Sequence, residues 1–127
     1  MILIIDTSNN KVIKLFLEEN NKTVKKKTII ADRQQAEKLL PAIELLLKSA
    51  KADLREIEKV KVAHKGNSFT SLRIGVLTAN ALAYALGVRV ETLEISKNKV
   101  KKLKDFNIVI PEYNSDPDIK IKKNELD

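Results

Sequence analysis

Three consecutive side chains near the start of the chain have the composition of a magnesium and phosphate site. Asp6, Thr7 and Ser8 follow the aliphatic run at residues 2–5. A carboxylate and two hydroxyls at the end of a strand can meet a metal ion and a phosphate in phosphate-transferring enzymes. Those enzymes close a second lobe over the nucleotide, and we do not expect a second lobe in a chain of 127 residues. We therefore favour a strand-ending turn, in which the side-chain oxygens bond to nearby backbone groups.

The other reactive residues do not form a recognisable catalytic set. A metal-dependent nuclease needs several carboxylates at adjoining strand and helix ends. Asp6 and Glu37 are candidates, but no acid follows the predicted strand that ends at Ala63. His64 has no nucleophile or carboxylate at a suggestive spacing, and Ser68 is expected to cap a helix. With no Cys and a single His, the chain cannot form disulfides, thiolate zinc sites or histidine clusters. We predict no catalytic, cofactor-binding or metal-binding residues.

The charge balance favours an acidic partner. The chain has 24 Lys and Arg against 17 Asp and Glu, a formal net charge of +7. Its lysines cluster at residues 25–27, 97–104 and 120–123. Such runs are most often solvated edges, and these lack interleaved aromatic residues. Any direct affinity for RNA should then be weak and sensitive to salt. An independent basic nucleic-acid-binding module remains the alternative function.

The order of predicted elements indicates an α/β fold. Aliphatic runs and alternating patterns predict strands at residues 2–5, 11–17, 23–30, 57–63, 88–95 and 107–110. A first helix should begin near Arg33, capped by Asp32, and bend at Pro41. An antiparallel meander of three strands followed by helical crossovers predicts a mixed five-stranded sheet with packed helices. This is the order of a ribonuclease-H-like or actin-like (ASKHA) lobe.

The second predicted helix, residues 69–86, is apolar around most of its circumference. Gly87 should end it as a C-cap. A helix that is apolar nearly all round must be buried nearly all round. One apolar face, for which a small domain has limited covering material, is formed by Ile74, Leu77, Ala81 and Ala85. Either the first helix and the C-terminal tail cover this face, or a partner does.

No segment has the pattern of a signal peptide or a membrane span. Residues 1–6 lack a basic region and reach an acid after four apolar residues, and the longest uncharged stretch, residues 74–88, is too short to cross a bilayer. We expect a soluble, cytoplasmic protein that does not bind a membrane.

Three segments of the sequence resemble the TsaB (YeaZ) family. They are MILIIDTS at residues 1–8, QAEKLLPAI at residues 35–43 and SFTSLRIGVLTANALAYALGV at residues 68–88. The resemblance runs in order from residue 1 to about residue 95, and the stretch at 68–75 is its most specific part. Family members are usually nearly twice as long and have two actin-like lobes. The resemblance thus implies an N-terminal lobe at residues 1–95, with a short basic appendage and tail at 96–127 replacing the second lobe.

The resemblance implies a non-catalytic role in tRNA modification. TsaB binds the related catalytic subunit TsaD, and together with TsaE they install N6-threonylcarbamoyl on adenosine beside the anticodon. In the family, two helices of the N-terminal lobe pair with two of TsaD as a four-helix bundle. A spare apolar face would also allow a homodimer, and tRNA would be bound mainly through the complex. The candidate partner-binding residues, some of which could face the sheet instead, are Leu39, Ile43, Leu46, Ile74, Leu77, Asn80, Ala81 and Tyr84.

Overall fold

A computed structural model describes residues 1–66, 68–93, 100–103, 106–110 and 112–113 of the chain. Five strands form the main sheet in the order β3-β2-β1-β4-β6. Their bounds are β1 Ile2–Asp6, β2 Val12–Glu19, β3 Lys22–Ile30, β4 Lys59–Val62 and β6 Arg89–Thr92. The two long helices are α1 Gln35–Ser49 and α2 Phe69–Leu86, and a short 3₁₀ helix spans Leu54–Glu56.

The strand directions confirm the predicted mixed sheet. β1 runs antiparallel to β2 and parallel to β4, β2 runs antiparallel to β3, and β4 runs parallel to β6. β1 lies at the centre, as its unbroken aliphatic run predicts, and the lysine-rich β3 lies at an edge, where charged side chains discourage pairing with another chain. The actin-like fold class is therefore confirmed.

Both long helices pack on the same face of this sheet. Alternate residues of each strand are buried in one continuous core, because successive side chains of a strand point to opposite faces. Leu3 and Ile5 of β1 lie in it with Leu15 of β2, and the helices add Leu46 of α1 and Val76 of α2. The opposite face of the sheet carries the intervening residues.

The start of α1 differs from the prediction. The helix begins at Gln35, its N-cap is Gln34, and no side chain caps it, so Asp32 is not the cap. Arg33 has a φ of 58°, in the left-handed region, which places it in a turn and prevents the helix from starting there. Pro41 lies inside α1, as expected.

The chain after β6 returns to the main body. Two further pairs of short strands are present: β7 Val100–Leu103 runs antiparallel to β8 Phe106–Val109, and β5 Lys65–Gly66 runs parallel to β9 Glu112–Tyr113. The side chain of Val109 lies in the common core. The predicted domain boundary at residue 95 falls within residues 94–99, outside the described residues, as do most of the lysine clusters at 97–104 and 120–123, and it stays a prediction.

Within the described part of the chain, α2 is long and apolar enough to cross a membrane by length and composition alone. Core helices of soluble proteins pass the same test. Since α2 buries Leu72, Val76 and Ala83 in this fold, the finding is weak evidence for a membrane span.

Candidate interaction surface

Local sequence signals fix both ends of α2. The Ser68 hydroxyl oxygen accepts a hydrogen bond from the backbone N–H of Ser71 at 3.3 Å, which confirms the predicted N-cap. At the other end Gly87 has a φ of 70°, a left-handed geometry that glycine adopts without a steric cost. The predicted C-cap is confirmed too.

The turn after β1 uses its polar groups internally. The backbone N–H and the hydroxyl of Ser8 both donate to Asp6 Oδ1, at 2.9 and 2.6 Å. The buried Thr7 hydroxyl donates to the carbonyl oxygen of Ser71 in α2 at 2.6 Å. These bonds confirm the strand-ending turn predicted for the three residues. His64 is also enclosed, in the loop between β4 and β5.

A glycine sets how closely α2 approaches β1. A Cβ atom at Gly75 would lie 2.2 Å from Thr7 Oγ1 and 3.2 Å from its Cγ2. Only a residue without a side chain fits at that distance. The helix is thereby held with Ser71, Gly75 and Ala79 against the sheet, which decides the face that it turns outward.

Two neighbours flank the outward face of α2. On one side, Ile74 and Leu82 each line a cleft shared with α1. On the other side, the amide of Asn80 bonds twice to the backbone of Val109: its nitrogen donates to the carbonyl at 3.0 Å and its oxygen accepts from the N–H at 2.8 Å. Asn80 is therefore engaged by its own chain.

Between these neighbours, α2 exposes an apolar strip. Leu77 is 62% exposed and Tyr84 is 66% exposed, and Ala81 lies between them at helical spacing. Arg73 borders the strip, with its guanidinium 5.1 Å from the centre of the Phe69 ring. Leu77, Ala81 and Tyr84 were predicted to bind a partner, and all three are accessible to one.

The first helix presents different residues from those expected. Leu39, Ile43 and Leu46 are at most 3% exposed, because this side of α1 faces the sheet. Their side chains are buried within the single chain, although Ile43 also lines a groove between the helices, and their part in an interface stays a prediction. Leu40, which the sequence assigned to the same broad stripe, is instead 57% exposed. It lies at the border of that stripe, one residue and so about 100° from Leu39.

A groove joins the two helices beside Leu40. It has a volume of about 390 Å³ and is lined by side chains that include Leu40, Glu44, Leu54 and Leu82. A second cleft of about 340 Å³ lies between the N-terminal halves of the helices, beside Ala36 and Ile74. We use the name helix surface for Leu40, Ile74, Leu77, Ala81 and Tyr84, five apolar residues of this two-helix layer that are at least partly accessible.

Comparisons with known proteins match both the sequence and the fold. The model of the family described as "TsaD: tRNA N6-adenosine threonylcarbamoyltransferase" matches residues 22–97. One similar solved structure is YeaZ from Pseudomonas aeruginosa, at 25% identity and a TM-score of 0.67, covering 73% of this chain and 43% of that one. Another, described as an uncharacterized protein with similarity to peptidase YeaZ from Pseudomonas aeruginosa, has the same identity and TM-score and is covered to 42%. The chain thus spans less than half the length of these two structures. No curated protein matches it.

Proposed function

This chain belongs to the TsaD family and is TsaB-like (YeaZ-like) in fold, and from that premise we propose that it is a non-catalytic subunit that binds TsaD. It would support TsaD in forming N6-threonylcarbamoyladenosine in tRNA, with TsaE joining through the complex. The helix surface would hold TsaD. The observation that carries this proposal is the exposure of Leu77 and Tyr84 on a helix whose other faces are fixed by its own chain.

The geometry of the helix surface supports a helical partner. Two adjacent helices with a shared groove accept the ridges of two further helices, the usual packing of helix pairs. Fully burying a leucine contributes about 1.5–3 kcal/mol, and Leu40 and Leu77 are both more than half exposed in the single chain. Their burial against a partner is thus a substantial part of the binding energy of an ordinary interface.

The internal bonds of the turn after β1 support a non-catalytic role. The family model is named for a transferase, so a catalytic function is the competing interpretation. In this chain Asp6 accepts two bonds from Ser8, and the Thr7 hydroxyl is buried and donates to α2. Thr7 joins β1 to α2, whereas Asp6 and Ser8 bond to each other within the turn, and a catalytic role would require these groups to exchange those bonds for a ligand.

Co-purification with the TsaD protein of the same genome tests the proposal. The parent chain should elute with TsaD as one complex, and the solution mass of each sample should show its composition. Leu77→Glu removes an apolar contact and buries a charge, so we expect binding weaker by at least about 2 kcal/mol, or roughly thirtyfold. Val24→Glu is the matched control, since Val24 is also exposed but lies on the edge strand β3.

The outcomes separate three assignments. Loss of the complex with Leu77→Glu and its retention with Val24→Glu supports the helix surface as the TsaD site. An intact complex with Leu77→Glu shows that TsaD binds elsewhere. A homodimer of the chain alone that dissociates when TsaD is added would indicate that a second copy and TsaD compete for one surface. Absence of any complex, together with tight tRNA binding by the chain at physiological salt, would favour the independent nucleic-acid-binding module.

A further inference from the structure

The face of the main sheet opposite the helices has a composition of its own. In β2, Ile13, Leu15 and Leu17 point into the core, so Lys14 and Phe16 point the other way. The same alternation puts Ile4 of β1 on this second face, together with Lys26 of β3 and Lys61 of β4. We use the name basic sheet face for Lys14, Phe16, Lys26 and Lys61 around Ile4.

Strand register places these residues side by side. Phe16 pairs with Ile4 on one side and with Lys26 on the other, and Ile4 pairs in turn with Lys61. The row therefore reads Lys26, Phe16, Ile4, Lys61 across four adjacent strands. With strands about 4.8 Å apart, the two lysines lie roughly 14 Å from each other, with the aromatic ring between them. Lys14 is two residues along β2 from Phe16, on the same face.

The basic sheet face carries more positive than negative charge. Lys14 and Lys26 are exposed and Lys61 is half-buried, and the described part of the chain forms no ion pair with any of the three. The acid Glu91 of β6 pairs directly with Lys61 in the register, and its carboxylate lies 3.3 Å from Lys59 and 3.8 Å from an arginine.

Two other acids lie on this face. Asp6 accepts two hydrogen bonds from Ser8 and pairs with Lys14 in the register, and Glu18 lies two residues beyond Phe16 on β2. Strand register also places Lys59 and Arg89 on this side of the sheet, so among the described strand residues five cations stand against the three acids Asp6, Glu18 and Glu91. A polyanion is the complementary ligand.

We propose that the basic sheet face contacts RNA, with the three lysines on backbone phosphates and Phe16 against an unpaired base. Lysines near an aromatic ring on an open sheet match what unpaired RNA offers, a charged backbone and stackable bases. An acidic protein surface would use the lysines alone. The inference rests on the proposed function, since tRNA is the substrate of the complex that the helix surface would join. Because the two surfaces lie on opposite sides of the fold, RNA and TsaD can bind together.

A charge-matched pair of triple variants tests the proposal on the purified full chain. The probe is a fluorescently labelled, unmodified tRNA transcript, and binding is followed by anisotropy at several salt concentrations. Lys14→Ala with Lys26→Ala and Lys61→Ala removes the charges of the basic sheet face. The control, Lys25→Ala with Lys38→Ala and Lys48→Ala, removes the same net charge from the helix side of the fold.

If RNA binds the basic sheet face specifically, the two triple variants should lose different amounts of RNA affinity. The face variant should lose roughly tenfold or more in affinity, and the slope of log affinity against log salt should fall by about 2, since each lost phosphate contact contributes about 0.7 for a single strand. The control should change affinity by less than about threefold. Phe16→Leu keeps an apolar side chain but removes the stacking surface, so it should weaken binding about fivefold or more at an unchanged salt slope.

Several results would overturn the inference. Equal losses of affinity in the two triple variants would show that net charge alone drives binding. An unchanged affinity in Phe16→Leu would show that Phe16 does not stack on a base. Displacement of the tRNA by polyglutamate at an equal charge concentration would indicate a site for acidic proteins. The face variant should still co-purify with TsaD, and Leu77→Glu should still bind the transcript. Co-purification therefore tests whether TsaD binds the helix surface, and anisotropy separately tests whether RNA binds the basic sheet face.

Discussion

Replacing Gly75 with alanine perturbs the contact that orients α2, and the structure gives the size of the effect. The new methyl carbon would lie 2.2 Å from Thr7 Oγ1, whereas nonbonded heavy atoms are most stable at about 3.5–4.0 Å. Either the helix moves away from β1 by roughly 1 Å, or the Thr7 side chain rotates. Rotation would break its 2.6 Å bond to the Ser71 carbonyl.

Both responses cost more than the helix gains. Overpacking a core costs about 1–3 kcal/mol, and a buried hydroxyl without its bond costs a similar amount. Alanine is better than glycine inside a helix by about 1 kcal/mol. We therefore expect Gly75→Ala to lower the free energy of unfolding by about 1–2 kcal/mol, which for a domain of this size lowers the melting temperature by about 4–8 °C.

Denaturant and thermal unfolding of four proteins measure this effect: the parent, Gly75→Ala, Thr7→Ala and the double variant. In the double variant the new methyl enters the space that the Thr7 hydroxyl and methyl vacate. Its destabilisation should be smaller than the sum of the two single effects by at least about 1 kcal/mol. Ala85→Gly, at an exposed position of the same helix, measures the propensity term alone. A Gly75→Ala protein more stable than the parent would refute the close contact and the orientation of the helix surface that depends on it.

Three further changes test individual contacts. Asn80→Ala should cost about 2 kcal/mol, because it leaves both backbone groups of Val109 without their bonds, and hydrogen exchange at β8 should speed up accordingly. Gly87→Ala should destabilise by about 1 kcal/mol in chemical unfolding, since alanine is strained at a φ of 70°. Hydrogen bonding from the backbone N–H of Arg55, helped by its side chain, holds the pKa of Asp53 below the ordinary value of 3.8. That contribution to stability is complete above pH 3.8 and is lost as the pH falls through the lower folded-state pKa, so an NMR titration should place the Asp53 midpoint below 3.8.

Local patterns predicted much of the fold. The bounds of α2, its Ser68 cap and its Gly87 cap follow from a few neighbouring residues, and all three are confirmed. The start of α1 was wrong because a left-handed Arg33 interrupts an otherwise good helical pattern, and no local signal at an arginine announces that conformation.

The predicted interface residues differ in exposure between α2 and α1, and their binding to a partner stays a prediction. On α2, the sequence predicts more apolar surface than the chain can cover, and the exposure of Leu77 agrees with that prediction. On α1, a broad apolar stripe does not say which border turns outward: Leu39, which was named as a candidate, is buried, and Leu40 of the same stripe is exposed. Asn80 was placed at the interface because the sequence does not show that Val109, 29 residues away, needs its amide.

The sequence by itself determined the elements, their order and the apolar surplus of α2, since periodicity, caps and turns act over a few residues. The tertiary structure decided which groups meet. The close packing of Gly75 against Thr7, the exposure of Leu40 and the row from Lys26 through Phe16 to Lys61 depend on helix packing and strand register. These contacts join residues that are far apart along the chain, and their geometry comes from the packing of the whole core.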